Sequence, residues 1–194
     1  MRFSTPCVIF AGGKSSRMGE DKALLPFAGF DTLLEYQYNR LSAIFTNVYI
    51  SCKDKSLFAF DANFIEDKKN SSIFAPTLGF ISAFDTLNTD KIFAISVDTP
   101  FITQKEIGKI MRADTSNVDA IIAQTNEGLH PLCGIYHKTL LPKFGQMIKA
   151  NNHKLGSLVK NVKTTYVSFP NSQAFFNMNH PKDYQKALQL LTHC

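Results

Sequence analysis

Apolar positions along the chain gather into short runs rich in β-branched and aromatic residues at 7–11, 48–52, 92–97, 118–123, 132–136 and 165–169. Between several of these runs the apolar residues recur at helical spacing instead. Thr32-Leu33-Leu34-Glu35 and Thr103-Gln104-Lys105-Glu106 each set a hydroxyl three residues ahead of a glutamate. That spacing satisfies orphan amides at a helix start and predicts helices over 32–45 and 103–113. Helices are also predicted over 77–88, 139–150 and 181–192, the last opening on Pro181 with Asp183 in its first turn. Strand, helix and strand in repetition predict an α/β fold, Rossmann-like, with a mostly parallel central sheet flanked by helices on both faces in one domain over 1–194. Ligands of such sheets sit outside the carboxyl ends of the strands, so the residues that follow each strand are the first candidates for chemistry.

The junction after the first run is the richest. The stretch VIFAGGKSSRMGEDKALLPF, residues 8–27, combines adjacent Gly12 and Gly13 with Lys14, Arg17, Gly19 and Lys22. A Walker A loop is excluded, because five residues separate Gly13 from Gly19 and Glu20 follows where lysine is required. The dinucleotide fingerprint is excluded by the adjacent glycines and by the lack of an acidic residue at the proper strand end. The remaining pattern suits a triphosphate. Glycines let backbone amides converge on one concavity, Arg17 offers a bidentate fork and Lys22 a compact charge.

Ala11-Gly12-Gly13-x-x-x-Arg17-Met18-Gly19-x-Asp21-Lys22 resembles the signature loop of nucleotidyltransferases, specifically the bacterial molybdenum cofactor guanylyltransferases. Further landmarks of that family recur in order: Phe64-Ile65-Glu66-Asp67, Leu78-Gly79, Val97-Asp98-Thr99-Pro100-Phe101, His130-Pro131 and Phe176-Asn177-Met178-Asn179-His180-Pro181. The resemblance therefore runs over residues 7–190. It departs at Ser51, where the family usually has asparagine, and at Ala75-Pro76-Thr77-Leu78-Gly79, where Gly-Pro-Leu-Ala-Gly is common.

The resemblance implies a nucleotide-diphospho-sugar-transferase-like fold. It also implies transfer of GMP from GTP to the terminal phosphate of molybdenum-molybdopterin, with Mg²⁺ as cofactor and transient contacts with molybdoenzymes or their chaperones. Asp98 follows a strongly apolar strand, where its carboxylate meets a Mg²⁺ that bridges nucleotide phosphates, the use the family makes of it. Lys22, Asp98 and Arg17 form the expected catalytic group. Phe10, Ala11, Gly12, Gly13, Lys22, Ser51, Asp67, Gly79 and Asp98 are the expected nucleotide contacts, Asp67 accepting the N–H donors of a guanine edge. Asn177 and Asn179 alternate on an expected strand and so face one side, toward metal, phosphate or pterin. On the resemblance, His130 lines the pterin side, and Lys154, beside His153 and Leu155-Gly156, meets the acceptor's terminal phosphate. That phosphate is already anionic near neutral pH, so the chemistry requires no strong general base.

With 194 residues, 44% of them hydrophobic, the chain can bury a substantial core. Seventeen phenylalanines and no tryptophan describe how that core is filled. The formal charge of +5 is dispersed, without a dense basic run interleaved with aromatics, which favours a local anion site over a nucleic-acid track. No run approaches the length of a membrane span, and the first residues lack the features of a signal peptide, so a cytoplasmic protein is expected, free of membrane. The four scattered cysteines form no metal-ligand or redox spacing and read as reduced, buried thiols. Three other activities fit parts of the pattern: a cytidylyltransferase acting on molybdopterin, a sugar- or polyol-phosphate nucleotidyltransferase, and a nucleotide-binding module without turnover. The Ala-Gly-Gly form is guanylyl-like, since cytidylyl relatives more often show Ala-Ala-Gly.

Overall fold

The computed structural model describes residues 2–12, 21–67, 76–115 and 117–191. Its strands are β1 (Cys7–Phe10), β2 (Val48–Cys52), β3 (Phe64–Glu66), β4 (Lys91–Ser96), β5 (Ala120–Thr125), β6 (Gly128–His137) and β7 (Thr164–Ser168). They form one sheet in the order β3-β2-β1-β4-β6-β5-β7. The helices are α1 (Leu33–Ser42), α2 (Pro76–Leu87), α3 (Gln104–Arg112), α4 (Leu141–Lys149), α5 (Leu155–Lys160) and α6 (Pro181–Leu191).

The two-residue period of the strands divides the core into two layers. Cys7 and Ile9 of β1 join Phe93 and Ile95 of β4 against α1, α3 and α6. Val8, Phe10 and Ala94 point the other way, onto Phe80 and Phe84 of α2, Phe144 of α4 and Val159 of α5. Phenylalanine rings stack in the second layer, Phe80 on Phe144 at 4.7 Å. The free cysteines among the described residues, Cys7, Cys52 and Cys133, are all buried, where desolvation raises each thiol's pKa.

Most elements match the apolar pattern within a few residues, and two of the helix starts show their capping. Thr32 Oγ1 accepts the Glu35 amide at 3.0 Å. The Thr103 amide donates to Glu106 Oε2 at 3.0 Å, in a complete capping box. Two departures have physical causes. The run at 132–136 belongs to a longer strand that begins at Gly128 and runs antiparallel to both β4 and β5. A two-residue turn at Asn126 and Glu127, with Gly128 at φ +131°, folds β6 back on β5. The second is α5, six residues long and too short for a periodic signal.

The antiparallel pair packs so closely that a Cβ on Gly134 would lie 2.1 Å from the Ile121 carbonyl oxygen. Backbone cannot yield as a flexible side chain does. Gly134→Ala is therefore expected to lower the unfolding free energy by about 3 kcal/mol in urea titration. An unchanged midpoint would show that the two strands separate there at little cost.

Candidate functional site

β1 leads through α1 to β2 on one side, while β4 lies on its other side, so a crevice opens where the chain order reverses. Phe10, Ser51 and Ser96 sit at one level of the sheet, paired Phe10 with Ser51 and Phe10 with Ser96. The residues beyond them form the walls of a compartment of about 250 Å³, which Phe10, Ala11, Gly12, Lys22, Ser51, Asp67, Gly79 and Asp98 all line. Gly13 and Arg17, also expected here, lie outside the described residues, as does Ala75.

Three separate segments converge on Asp98. The Lys22 ammonium donates to Asp98 Oδ2 at 2.9 Å and to Asn179 Oδ1 at 3.0 Å. The Ser96 hydroxyl donates to Asp98 Oδ1 at 2.6 Å, and the Met178 amide donates to the Asp98 carbonyl at 3.0 Å. Lys22 is aimed there by local structure. Asp21 Oδ1 accepts the Ala23 amide at 3.1 Å and starts the single 3-10 turn Lys22–Leu24. The Tyr184 hydroxyl donates to the Pro26 carbonyl and ties α6 to the segment that follows this turn.

Asp67 has a different character. It follows β3, its amide bound to the Cys52 carbonyl at 3.0 Å. Its Oδ1 is buried with no hydrogen-bond partner among the described residues. Its Oδ2 lies 4.0 Å from where a Cβ on Gly12 would stand. Desolvation, opposed by the charge of Lys53, pushes its pKa up to about 6. An orphaned buried acceptor is costly to the fold and fits a ligand that brings N–H donors.

Gly79 has a packing reason to be glycine. A Cβ there would lie 2.5 Å from Ser51 Oγ and 2.9 Å from the Phe10 ring, so this turn of α2 must rest directly on β1 and β2. The Ser51 hydroxyl is thereby turned toward α2.

A second compartment of about 370 Å³ shares Pro76, Ser96, Asp98 and Leu132 with the first and adds His130, His153 and Asn177. Asn177 and Asn179 are not on a strand. They lie in unpaired chain after the 3-10 turn Gln173–Phe175, because Met178 turns inward and spends its amide on the Asp98 carbonyl rather than on a sheet. Their alternation survives, and it delivers Asn179 to Lys22 and Asn177 to the second compartment.

His130 Nε2 lies 2.9 Å from Thr125 Oγ1, and its ring packs 4.8 Å from that of Phe175. Burial lowers its pKa, opposed by the charge of Glu127. Lys154 is exposed just before α5 and is not among the residues lining either compartment. The neighbouring His153 is, with Nδ1 2.7 Å from the hydroxyl of buried Thr77. The sequence pattern did not single out Asp21, Ser96 or Leu132 as lining residues. Ser96 had a signal, since a side chain two residues before Asp98 at a strand end shares its face.

Among the described residues no group of three or more histidine, cysteine, aspartate or glutamate side chains is placed to hold a metal. Mg²⁺ needs no such cage, because it binds through one or two carboxylates with phosphates and water completing its octahedron. Asp98, with the Ser96 hydroxyl and the Asn179 amide beside it, is a hard-oxygen set of that kind and fits a divalent ion.

Residues 7–165 match the MobA-like NTP transferase domain family. Molybdenum cofactor guanylyltransferase from Campylobacter jejuni subsp. doylei is 37% identical over 180 residues, 93% of each chain. The Helicobacter pylori G27 protein of the same name is 36% identical over 191 residues, 96% of this chain and 92% of its own. Among solved structures, the Archaeoglobus fulgidus molybdopterin-guanine dinucleotide biosynthesis protein A superposes with a TM-score of 0.82 at 18% identity, over 98% of this chain and 100% of that one. That likeness concerns the fold.

Proposed function

We propose that this chain, which belongs to the MobA-like NTP transferase family, transfers GMP from GTP to the terminal phosphate of molybdenum-molybdopterin and releases pyrophosphate. The observation that carries the reading is the place of Asp98, shared by both compartments and held by Lys22, Ser96 and Met178. One compartment takes the triphosphate and the other the acceptor, so the reacting atoms meet at that carboxylate.

An oxygen of the acceptor phosphate attacks the α-phosphorus, the bond from that phosphorus to the bridging oxygen breaks, and pyrophosphate leaves with the electron pair. The nucleophile is already anionic, so the chain contributes position and charge. Lys22 neutralises the phosphoryl oxygens, and Asn179 orients its ammonium. Asp67 reads guanine, whose N1–H and exocyclic N–H satisfy an acceptor pair that cytosine and adenine do not match. A divalent ion held by Asp98 with Ser96 and Asn179 supplies further neutralisation of the triphosphate when bound. His130, half-buried, and Asn177 offer polar contact to a pterin in the second compartment.

The test is pyrophosphate release by the purified protein with Mg²⁺ and active molybdenum cofactor, comparing GTP with CTP, ATP and UTP. Release selective for GTP is expected. Selectivity for CTP would move the chain to the sister activity on molybdopterin, and no release with any nucleotide would leave a binding module.

A further inference from the structure

We infer that Gln37 and Arg40 of α1 are positioning residues that brace the Asp98 loop from below. Gln37 is fully buried, a costly place for an amide unless each of its polar atoms is used. Its Nε2 donates to the Val97 carbonyl at 3.1 Å and, more weakly, to the Ser96 carbonyl at 3.4 Å. Its Oε1 accepts two N–H groups of Arg40, from Nε at 3.1 Å and from Nη2 at 2.6 Å. Arg40 Nη1 donates in turn to the Ile102 carbonyl. One amide and one guanidinium thus clasp the chain immediately before Asp98 and again four residues after it.

The contacts form a relay whose members have few alternatives. Burial lowers the Arg40 pKa, and no ion pair of Arg40 with a carboxylate occurs among the described residues. Its hydrogen bonds go to neutral oxygens, and such networks hold one geometry because a partly satisfied arrangement is expensive. Apolar packing anchors the loop at its ends, on buried Val97 and Ile102. Pro100 and Phe101 border a cavity of about 640 Å³ that Arg40 and Tyr36 also line. From above, the loop is held by the Met178 amide on the Asp98 carbonyl. The brace beneath, together with the Thr99 hydroxyl that donates to the Ser96 carbonyl at 3.0 Å, sets where the carboxylate stands relative to Lys22, and a displacement near 1 Å is worth about a hundredfold in rate.

Gln37→Glu separates this role from general stability. The carboxylate keeps both bonds from Arg40 and charges them, but it has no N–H for the Val97 carbonyl and repels it. The effect on turnover rests on the activity proposed above, so the primary readout is hydrogen exchange, which does not depend on it. In Gln37→Glu, exchange of the Met178 amide and of the amides in 97–102 is expected to quicken at least tenfold, with β1 and β2 amides unchanged. In the active protein kcat falls about a hundredfold, with KM for GTP within about threefold of wild type. Gln37→Met, which removes the amide without adding a charge, is expected to loosen the same amides.

Unchanged exchange over 97–102 in both variants would overturn the brace, as would loss of protection spread evenly through the sheet. A wild-type protein inactive with every nucleotide would sink the proposed activity while the exchange result still decided this inference.

Discussion

Replacing Lys22 with alanine, or Asp98 with alanine, is expected to lower kcat about a thousandfold while moving the thermal midpoint by no more than about 4 °C. The two side chains are 13% and 14% exposed and 2.9 Å apart, a pairing that reads at first as a strut of the fold. The surroundings say otherwise. Both line the open crevice, where water replaces a deleted partner, and Asp98 keeps the Ser96 hydroxyl at 2.6 Å. The exposed-pair scale of about 1 kcal/mol or less therefore applies rather than the cost of a stranded buried charge. A transferring phosphoryl group has no such substitute, because its charge must be met by a fixed donor in place before the reaction. Pyrophosphate release read beside differential scanning calorimetry separates the cases. A large drop in midpoint with near-normal turnover would make the pair structural.

Asp67→Asn is expected to cost GTP use and to gain stability. In the folded chain Asp67 has a pKa near 6, raised from an ordinary 3.8 by desolvation. A raised folded pKa means that the stabilisation from holding the proton is full below about pH 3.8 and is lost as pH rises through 6. Above that, an ionised carboxylate with an unpartnered oxygen is a net cost, which the amide relieves. The shift of about two units sets an upper bound near 3 kcal/mol. Contact with the crevice reduces this to about 1–2 kcal/mol, read as a higher midpoint at pH 8 and little change at pH 4.

Recognition moves the opposite way. An amide N–H facing the donors of guanine is expected to lower kcat/KM for GTP about a hundredfold. In wild type, KM for GTP is expected to fall as pH rises from 5 to 7, and the variant loses that dependence. Xanthosine triphosphate, whose C2 carbonyl accepts where guanine donates, is expected to recover part of the loss. Equal losses with every nucleotide would remove Asp67 from base recognition.

The order of elements and the sheet's mainly parallel character were legible because β-branched runs and helical periods alternate cleanly from residue 7 to residue 191. Strand direction was not, since a two-residue period is the same in both senses. Only the short turn before Gly128 marked β6 as a return strand, and Pro131 obscured it. Lys22 and Asp98 were candidates from the strand ends they follow and Asp67 from the resemblance, and all three line the first compartment. Lys154 is not among the residues lining either compartment, while its neighbour is. His153 and Lys154 are adjacent and both basic, and only the hydrogen bond to Thr77 shows which of them is turned inward. Gln37 and Arg40 had no signal at all, because a polar pair three residues apart on a helix ordinarily marks a solvated face.

The antiparallel hairpin has a consequence for how such a crevice changes over evolution. Apart from Leu132, every residue lining the first compartment comes from the chain before residue 99, whereas most of the second comes from residues 129–177. The hairpin tip is tied across to the chain before the 3-10 turn Gln173–Phe175, where the Ser172 hydroxyl donates to Glu127 Oε1 at 2.6 Å. Substitution or lengthening at 126–127 can thus reshape one chamber while the other keeps its walls, its glycine contacts and its buried acid. A lineage can try new acceptors in small steps and retain its donor throughout, with Pro76, Ser96, Asp98 and Leu132 as the shared boundary at which a change is felt on both sides.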